Sequence, residues 1–260
     1  MTIHDVTTLA AVTERWADVP AVVTCEAVLF DMDGTLVDST AVVERQWARW
    51  AARRRVGLAA VLAISHGRPT LETLSLIAPK WATAEEAAAI DAADAEEGDG
   101  LLAVAGAREL ASALPPSSWA VVTSAGRALA VARLTAAGLP LPAVLVTADD
   151  VSPGKPDPAG YLEAARRLSA RPERCLIFED APVGVRAGID AGAMVIGMTT
   201  TFDELDGCAH RVADFSSVRL VACGPPLRLE LQGQVGNLRP RPVRWIQHAR
   251  VGRWPTRASD

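Results

Sequence analysis

Ala27-Val28-Leu29-Phe30-Asp31-Met32-Asp33-Gly34-Thr35 is the stretch on which the fold turns. Four apolar residues in a row suit a strand buried on both faces of a parallel sheet. The run stops at two carboxylates separated by one residue and followed by glycine. Such charges are costly inside an apolar core, so Asp31 and Asp33 belong at the carboxyl end of the strand. An Asp-Gly pair also suits a plain turn. At a strand end, however, the two acids can share a cation, and magnesium favours one or two carboxylates completed by substrate oxygens. The pair also divides acid/base work naturally: one carboxylate attacks phosphorus, and the other protonates the leaving oxygen and later takes a proton from water.

Outward from this strand, residues 40–103 read as almost purely helical, with helices at Ala41–Arg54, Thr70–Ile77 and Ala84–Glu97 and Thr83 as an N-cap. After Gly106 strands and helices alternate. Helical stretches fall at Ala107–Ala113, Arg127–Ala137, Pro158–Leu168 (capped by Asp157) and Val183–Ala191. Strands fall at Trp119–Thr123, Ala143–Val146, Cys175–Phe178 and Met194–Ile196. That alternation predicts an α/β fold, a doubly wound parallel sheet, interrupted after its first strand by an inserted all-helical cap. The expected division is a 1–24 extension with a short helix near Thr7–Trp16, a core of 25–39 and 104–222, a cap of 40–103, and a poorly ordered 223–260 tail. The tail carries seven arginines against two acids and little apolar periodicity.

Three more clusters lie at predicted strand or loop edges, where ligands of such sheets bind. Ser124 closes the strand Val121-Val122-Thr123 and can donate to a phosphoryl oxygen, with the Ala125 N–H as a second donor; a serine before a helix is equally an ordinary cap. Lys155, in Ser152-Pro-Gly-Lys-Pro-Asp157, is one of two lysines in a chain whose other basic residues are arginine. Its ammonium can neutralise a nucleophilic carboxylate and a developing phosphoryl charge. Glu179 and Asp180 follow Leu176-Ile177-Phe178; adjacent acids at a buried strand end repel unless a cation is present.

These four runs, in this order and with a helical insertion after the first, resemble the four motifs of the haloacid dehalogenase superfamily. The resemblance covers residues 25–200 closely. It implies a Rossmann-like core, a nucleophilic Asp31, an acid/base Asp33, and a third-motif Lys155. It also implies Mg2+ held by Asp31, the Asp33 backbone carbonyl, Glu179 and Asp180. Asp33 is the residue that phosphatases and phosphomutases of the family carry and dehalogenases lack, so the resemblance implies phosphoryl transfer.

In the cap, Ile64-Ser65-His66-Gly67-Arg68-Pro69-Thr70 crowds polar groups around a glycine, as a substrate-facing loop would. His66 and Arg68 are its candidate substrate-binding residues; a solvated interhelical turn is the plainer reading. The run is similar to one in the subgroup containing yeast glycerol-3-phosphatases and 2-deoxyglucose-6-phosphatases, which implies a small phosphorylated sugar or polyol as substrate. A β-phosphoglucomutase-like enzyme shares all four motifs, and a non-catalytic binding protein can retain the fold; both stay open. One departure is Ala105, where relatives usually have proline.

Composition bounds the partners. The 260 residues carry a formal charge of -5 and are 50% hydrophobic, which speaks against nucleic acid. Four cysteines at irregular spacing suggest reduced, buried thiols. There is no secretory leader pattern and no apolar run long enough to span a bilayer. The expectation is a cytoplasmic protein with no membrane partner; oligomeric state is open, and a monomer is compatible with the sequence.

Overall fold

The computed structural model describes residues 21–224, 226–232, 234–235 and 246–248. The chain enters on β1 (Ala21–Cys25) and passes through Glu26 into β2 (Ala27–Phe30), whose four side chains are all buried. Beyond Asp31 the backbone tightens. Gly34 has φ +78°, and the N–H groups of Leu36 and Val37 both donate to the Met32 carbonyl. The short strand β3 (Val37–Asp38) then leaves the sheet for four helices: α1 (Thr40–Arg54), α2 (Leu58–Ser65), α3 (Thr70–Ile77) and α4 (Ala84–Ala95). The chain returns on β4 (Leu102–Ala103), antiparallel to β3. Exit and re-entry thus run through one two-stranded ribbon.

The helical insertion has its own apolar centre, in which Trp47, Trp50, Val61, Leu74 and Ile90 pack together. Thr83 caps α4 by accepting from the Glu86 N–H at 3.2 Å, as read from sequence. The sequence pattern does not mark helix α2. Its run Leu-Ala-Ala-Val-Leu-Ala-Ile-Ser is apolar on nearly every side, so it lacks the polar face that makes a helix visible.

The remaining elements alternate as predicted: α5 (Ala107–Ala113), β5 (Trp119–Val122), α6 (Arg127–Ala136), β6 (Val144–Val146), α7 (Ala159–Arg167), β7 (Cys175–Glu179), α8 (Pro182–Asp190) and β8 (Met194–Met198). They continue through β9 (His210–Val212), β10 (Val218–Ala222), β11 (Leu227–Leu231), β12 (Gln234–Val235) and β13 (Ile246–His248). The main sheet runs β12-β9-β8-β7-β2-β5-β6; all pairings are parallel except β12 with β9. Strand order reverses at β2, because the chain goes from it to β5 on one side and later to β7 on the other. In doubly wound sheets this switch point opens the crevice that takes a ligand. Asp31, Ser124 and Asp180 each lie just past the carboxyl end of one of these three strands.

The expected extension (1–24) and poorly ordered tail (223–260) give way to strand structure at Ala21–Cys25, Leu227–Leu231 and Ile246–His248. Strands β10, β11, β1 and β13 form a second, antiparallel sheet in that order. Leu227, Leu229 and Leu231 are buried and join the main core. The signal was the strict alternation Leu-Arg-Leu-Glu-Leu, a half-buried strand pattern, hidden inside an arginine-rich composition. The helix expected near Thr7–Trp16 and most of the tail lie outside the described residues. Cys25, Cys175 and Cys208 are buried free thiols, but Cys223 is exposed. Among the described residues no helix is long and apolar enough to cross a membrane.

If β11 is integral to the core, Leu229→Ala should destabilise the protein by roughly 2–5 kcal/mol, the usual cost of emptying a buried leucine site. Urea unfolding measures this directly; a change under about 0.5 kcal/mol, typical of an exposed site, would contradict it.

Candidate active site

The site is built at the ends of β2, β5 and β7. Asp31 continues β2, and its N–H donates to the Phe178 carbonyl of β7 at 3.0 Å. Glu179 ends β7, and Asp180 follows it. One oxygen each from Asp31, Glu179 and Asp180 lies within 4.8 Å of the others, and all three residues are buried. Gly34 makes this approach feasible, since a Cβ there would overlap Asp180 Oδ2 and its positive φ favours glycine. Thr35 donates its hydroxyl to Asp180 Oδ1 at 3.3 Å.

Lys155 enters between these acids from the loop after β6. Its Nζ donates to Asp31 Oδ1, to Glu179 Oε1 at 2.6 Å and to the Val122 carbonyl at 3.3 Å. Glu179 Oε1 also accepts from the Tyr161 hydroxyl at 3.0 Å, and Oε2 accepts from the Ala181 N–H at 2.9 Å. Glu179 is therefore a fully employed anchor for Lys155 as well as a member of the acid group. Gly184 leaves room for it: a Cβ on that residue would overlap the Glu179 carboxylate.

The electrostatics are those of a group short of positive charge. Burial pushes the Asp31 carboxyl well above the ordinary carboxylate range; Lys155 opposes this, and Glu179 and Asp180 reinforce it. Burial and then the charge of Glu179 push Asp180 up to about 7. Burial works against the charge of Lys155, but Asp31 and Glu179 outweigh it and hold the ammonium well above its usual range. Three buried carboxylates face one buried ammonium, and carboxylate oxygens are the donors hard divalent cations prefer. The donor set therefore fits a metal ion: bound there, it would supply the missing charge.

Asp31, Asp33, Ser124, Ala125, His66, Arg68 and Asp180 all line one cleft between the helical insertion and the main sheet. Lys155 and Glu179 lie behind Asp31. The Ser124 hydroxyl donates to the Gly67 carbonyl at 2.8 Å, so the end of β5 is tied to the loop after α2. The Ala125 N–H is occupied by Thr123 Oγ1 at 3.1 Å. Arg68 turns its guanidinium to Glu72 and to the Ile64 carbonyl, at 3.2 and 3.1 Å. His66 meets the Phe202 ring edge to face, and burial lowers its pKa.

Sequence reading missed Arg133, Asp94 and Tyr161. Arg133, on α6, is 4% exposed and pairs with Asp33 Oδ2 at 2.5 Å and with Asp94 Oδ2 on α4. Burial disfavours its charge, but Asp33 and Asp94 hold its pKa up. A signal existed. The buried face of α6 is Leu129, Ala130, Arg133 and Leu134, and that of α4 is Ala87, Ile90 and Asp94. In each helix a charge falls on the apolar stripe, and buried charges need a partner.

Residues 25–192 match the family model of the haloacid dehalogenase-like hydrolases. The chain is 41% identical to hexitol phosphatase A of Escherichia coli over 184 residues, covering 69% of this chain and 85% of the relative. It is 34% identical to glycerol-1-phosphate phosphohydrolase 2 of Saccharomyces cerevisiae, covering 75% and 84% of the two chains. A hydrolase of Pseudomonas syringae has a similar structure, with TM-score 0.59 and 28% identity over 68% of this chain and 85% of that one. Sheet order, helical insertion, acid group and these matches agree: the chain belongs to the haloacid dehalogenase-like hydrolase family.

Proposed function

We propose that this protein is a Mg2+-dependent phosphatase that hydrolyses a small sugar or polyol phosphate monoester through a phospho-aspartyl intermediate on Asp31. The observation that carries this is the placement of Asp31: buried, bonded to Lys155, beside Asp180, and opening onto a cleft roofed by the helical insertion. The names of the hexitol and glycerol phosphatases among its relatives support the substrate class.

Asp31, Asp180 and the Asp33 backbone carbonyl would hold the cation, with Glu179 completing the group through its hold on Lys155. Magnesium, when bound, supplies the positive charge that lets a phosphate dianion approach these acids. A carboxylate oxygen of Asp31 attacks phosphorus, and the bond from phosphorus to the substrate's ester oxygen breaks. Asp33 delivers a proton to that oxygen. The alcohol leaves, and Asp31 carries the phosphoryl group as an acyl phosphate. Asp33 then takes a proton from water as the water oxygen attacks phosphorus; the bond to Asp31 breaks and inorganic phosphate departs. Arg133 holds Asp33 Oδ2 and leaves Oδ1 for this traffic. Lys155 keeps Asp31 aimed and offsets negative charge on the transferring group. The roof limits bulk water around the acyl phosphate.

Asp31→Asn should abolish steady-state release of phosphate from a hexitol phosphate, and Asp33→Asn should slow it by ~10²–10⁴, the usual worth of general acid/base help. Substantial turnover by a pure Asp31→Asn preparation would contradict the assignment of the nucleophile.

A second outcome follows from Asp180. Its carboxyl, raised to about 7, keeps a proton that the unfolded chain loses near its ordinary value of about 4. In metal-free protein its contribution to stability therefore falls as pH rises across that window and is gone above it. Magnesium competes with this proton, so it should raise the melting temperature more at about pH 8 than at about pH 5.5. An equal or larger rise at the lower pH would count against a metal seat on Asp180.

A further inference from the structure

Among the described residues, seven buried side-chain polar atoms lack a hydrogen-bond partner. Four of them belong to residues lining the one cleft: Asp33 Oδ1, Ser65 Oγ, Asp94 Oδ1 and Arg133 Nε. Each orphan of this kind costs about 1–3 kcal/mol, so four on residues from both sides of one cleft point to a polar partner that joins them. Proton transfer to the ester oxygen accounts for Asp33 Oδ1. The other three have no task in the chemistry of phosphorus.

They also describe their ligand. Ser65 and Asp94 come from the helical insertion and Arg133 from the core, so the occupant bridges the two. Asp94 Oδ1 accepts, Arg133 Nε donates, and Ser65 Oγ does both. A hydroxyl group both donates and accepts, and a chain of hydroxyls matches all three; an apolar group satisfies none. A second anionic group is disfavoured, because Asp91 also lines this cleft and the positive charge of Arg133 is already engaged by Asp33 and Asp94. The site is firmly built: Asp94 is 6% exposed and Ser65 8%, and Thr70 donates to Asp91 Oδ1 at 2.5 Å.

We propose that Asp94, aimed by Arg133, is a specificity-determining residue that accepts hydrogen bonds from the hydroxyls of an uncharged polyhydroxylated leaving group, with Ser65 beside it. This rests on the phosphatase reading. Arg133 is the positioning residue: one guanidinium sets both the acid/base carboxylate and the hydroxyl acceptor. The substrate's alcohol is thereby read by the same side chain that fixes its proton donor.

The test compares two esters in the full-length protein with magnesium: a hexitol monophosphate, rich in hydroxyls, and p-nitrophenyl phosphate, which has none on its leaving group. Asp94→Ala should lower kcat/KM on the hexitol ester by about 10- to 100-fold more than on p-nitrophenyl phosphate, the scale of one lost hydrogen bond to a charged group. The excess loss should fall mainly on KM. Asp94→Asn keeps the shape of the side chain and should show the same preference more weakly; it carries the comparison if Asp94→Ala does not fold. Equal losses on both esters in a folded variant would overturn the proposal, since Asp94 would then act only through Arg133 and Asp33. No loss on the hexitol ester would overturn it too, leaving the orphans to water. If the wild type hydrolyses p-nitrophenyl phosphate but no polyhydroxylated ester, this inference and the sugar or polyol assignment both fall, and only the phosphatase chemistry on Asp31 stands. If it hydrolyses neither, that chemistry falls too.

Discussion

Lys155 places its ammonium where three carboxylates meet out of reach of solvent, and the surrounding structure is arranged to keep it there. Burying a lone charge is prohibitive, and burying a pair is worthwhile only when its remaining bonds are satisfied. Glu179 meets that condition for Lys155: its two oxygens take Lys155, the Tyr161 hydroxyl and the Ala181 N–H. Asp31 receives the other side of the ammonium, and Asp180 has no cation of its own among these contacts. The polypeptide thus assembles a group that is one divalent ion short of balance. Parallel strands β2 and β7 make this possible by ending side by side, so that acids from distant parts of the sequence arrive at one point without strain on either strand.

A second constraint joins the helical insertion to the sheet. Ser124 at the end of β5 bonds the Gly67 carbonyl, and Arg133 reaches from α6 to Asp94 on α4. Both ties cross the cleft roofed by the insertion, and both involve groups next to the chemistry. In the proposed mechanism, a roof tied through Arg133, the residue that holds Asp33, connects closure with readiness. Buried ion pairs add little to stability when compared with apolar packing. The Arg133 pairs are better understood as setting orientation than as holding the fold together.

The central acids and Lys155 were legible because their chemistry forces them to the ends of apolar runs. Phe30 before Asp31 and Phe178 before Glu179 announce a buried strand, and a carboxylate right after one has few structural uses. The roles within the pair were harder. Nothing in Glu179-Asp180 says that the first acid is saturated by Lys155, Tyr161 and a backbone N–H, because those partners come from separate loops and helices. Arg133 and Asp94 sit in helices where charges are common; only the phase of each helix, with Leu129 and Ile90 marking the inner stripe, separates them from surface residues. The Leu227–Leu231 strand was obscured by its arginine-rich surroundings, although its alternation was plain. Composition describes a segment's average, whereas packing responds to which side of the backbone each residue occupies.

The proposed mechanism makes Asp31 the residue that carries the phosphoryl group. The most direct test is mass spectrometry of the enzyme quenched in acid during turnover of a hexitol phosphate with magnesium. One added phosphoryl group on the peptide containing Asp31, lost on raising the pH and absent in Asp31→Asn, is the predicted result. A phosphoryl group on Ser124 or His66 instead, or turnover with no phosphorylated enzyme under any quench, would contradict it.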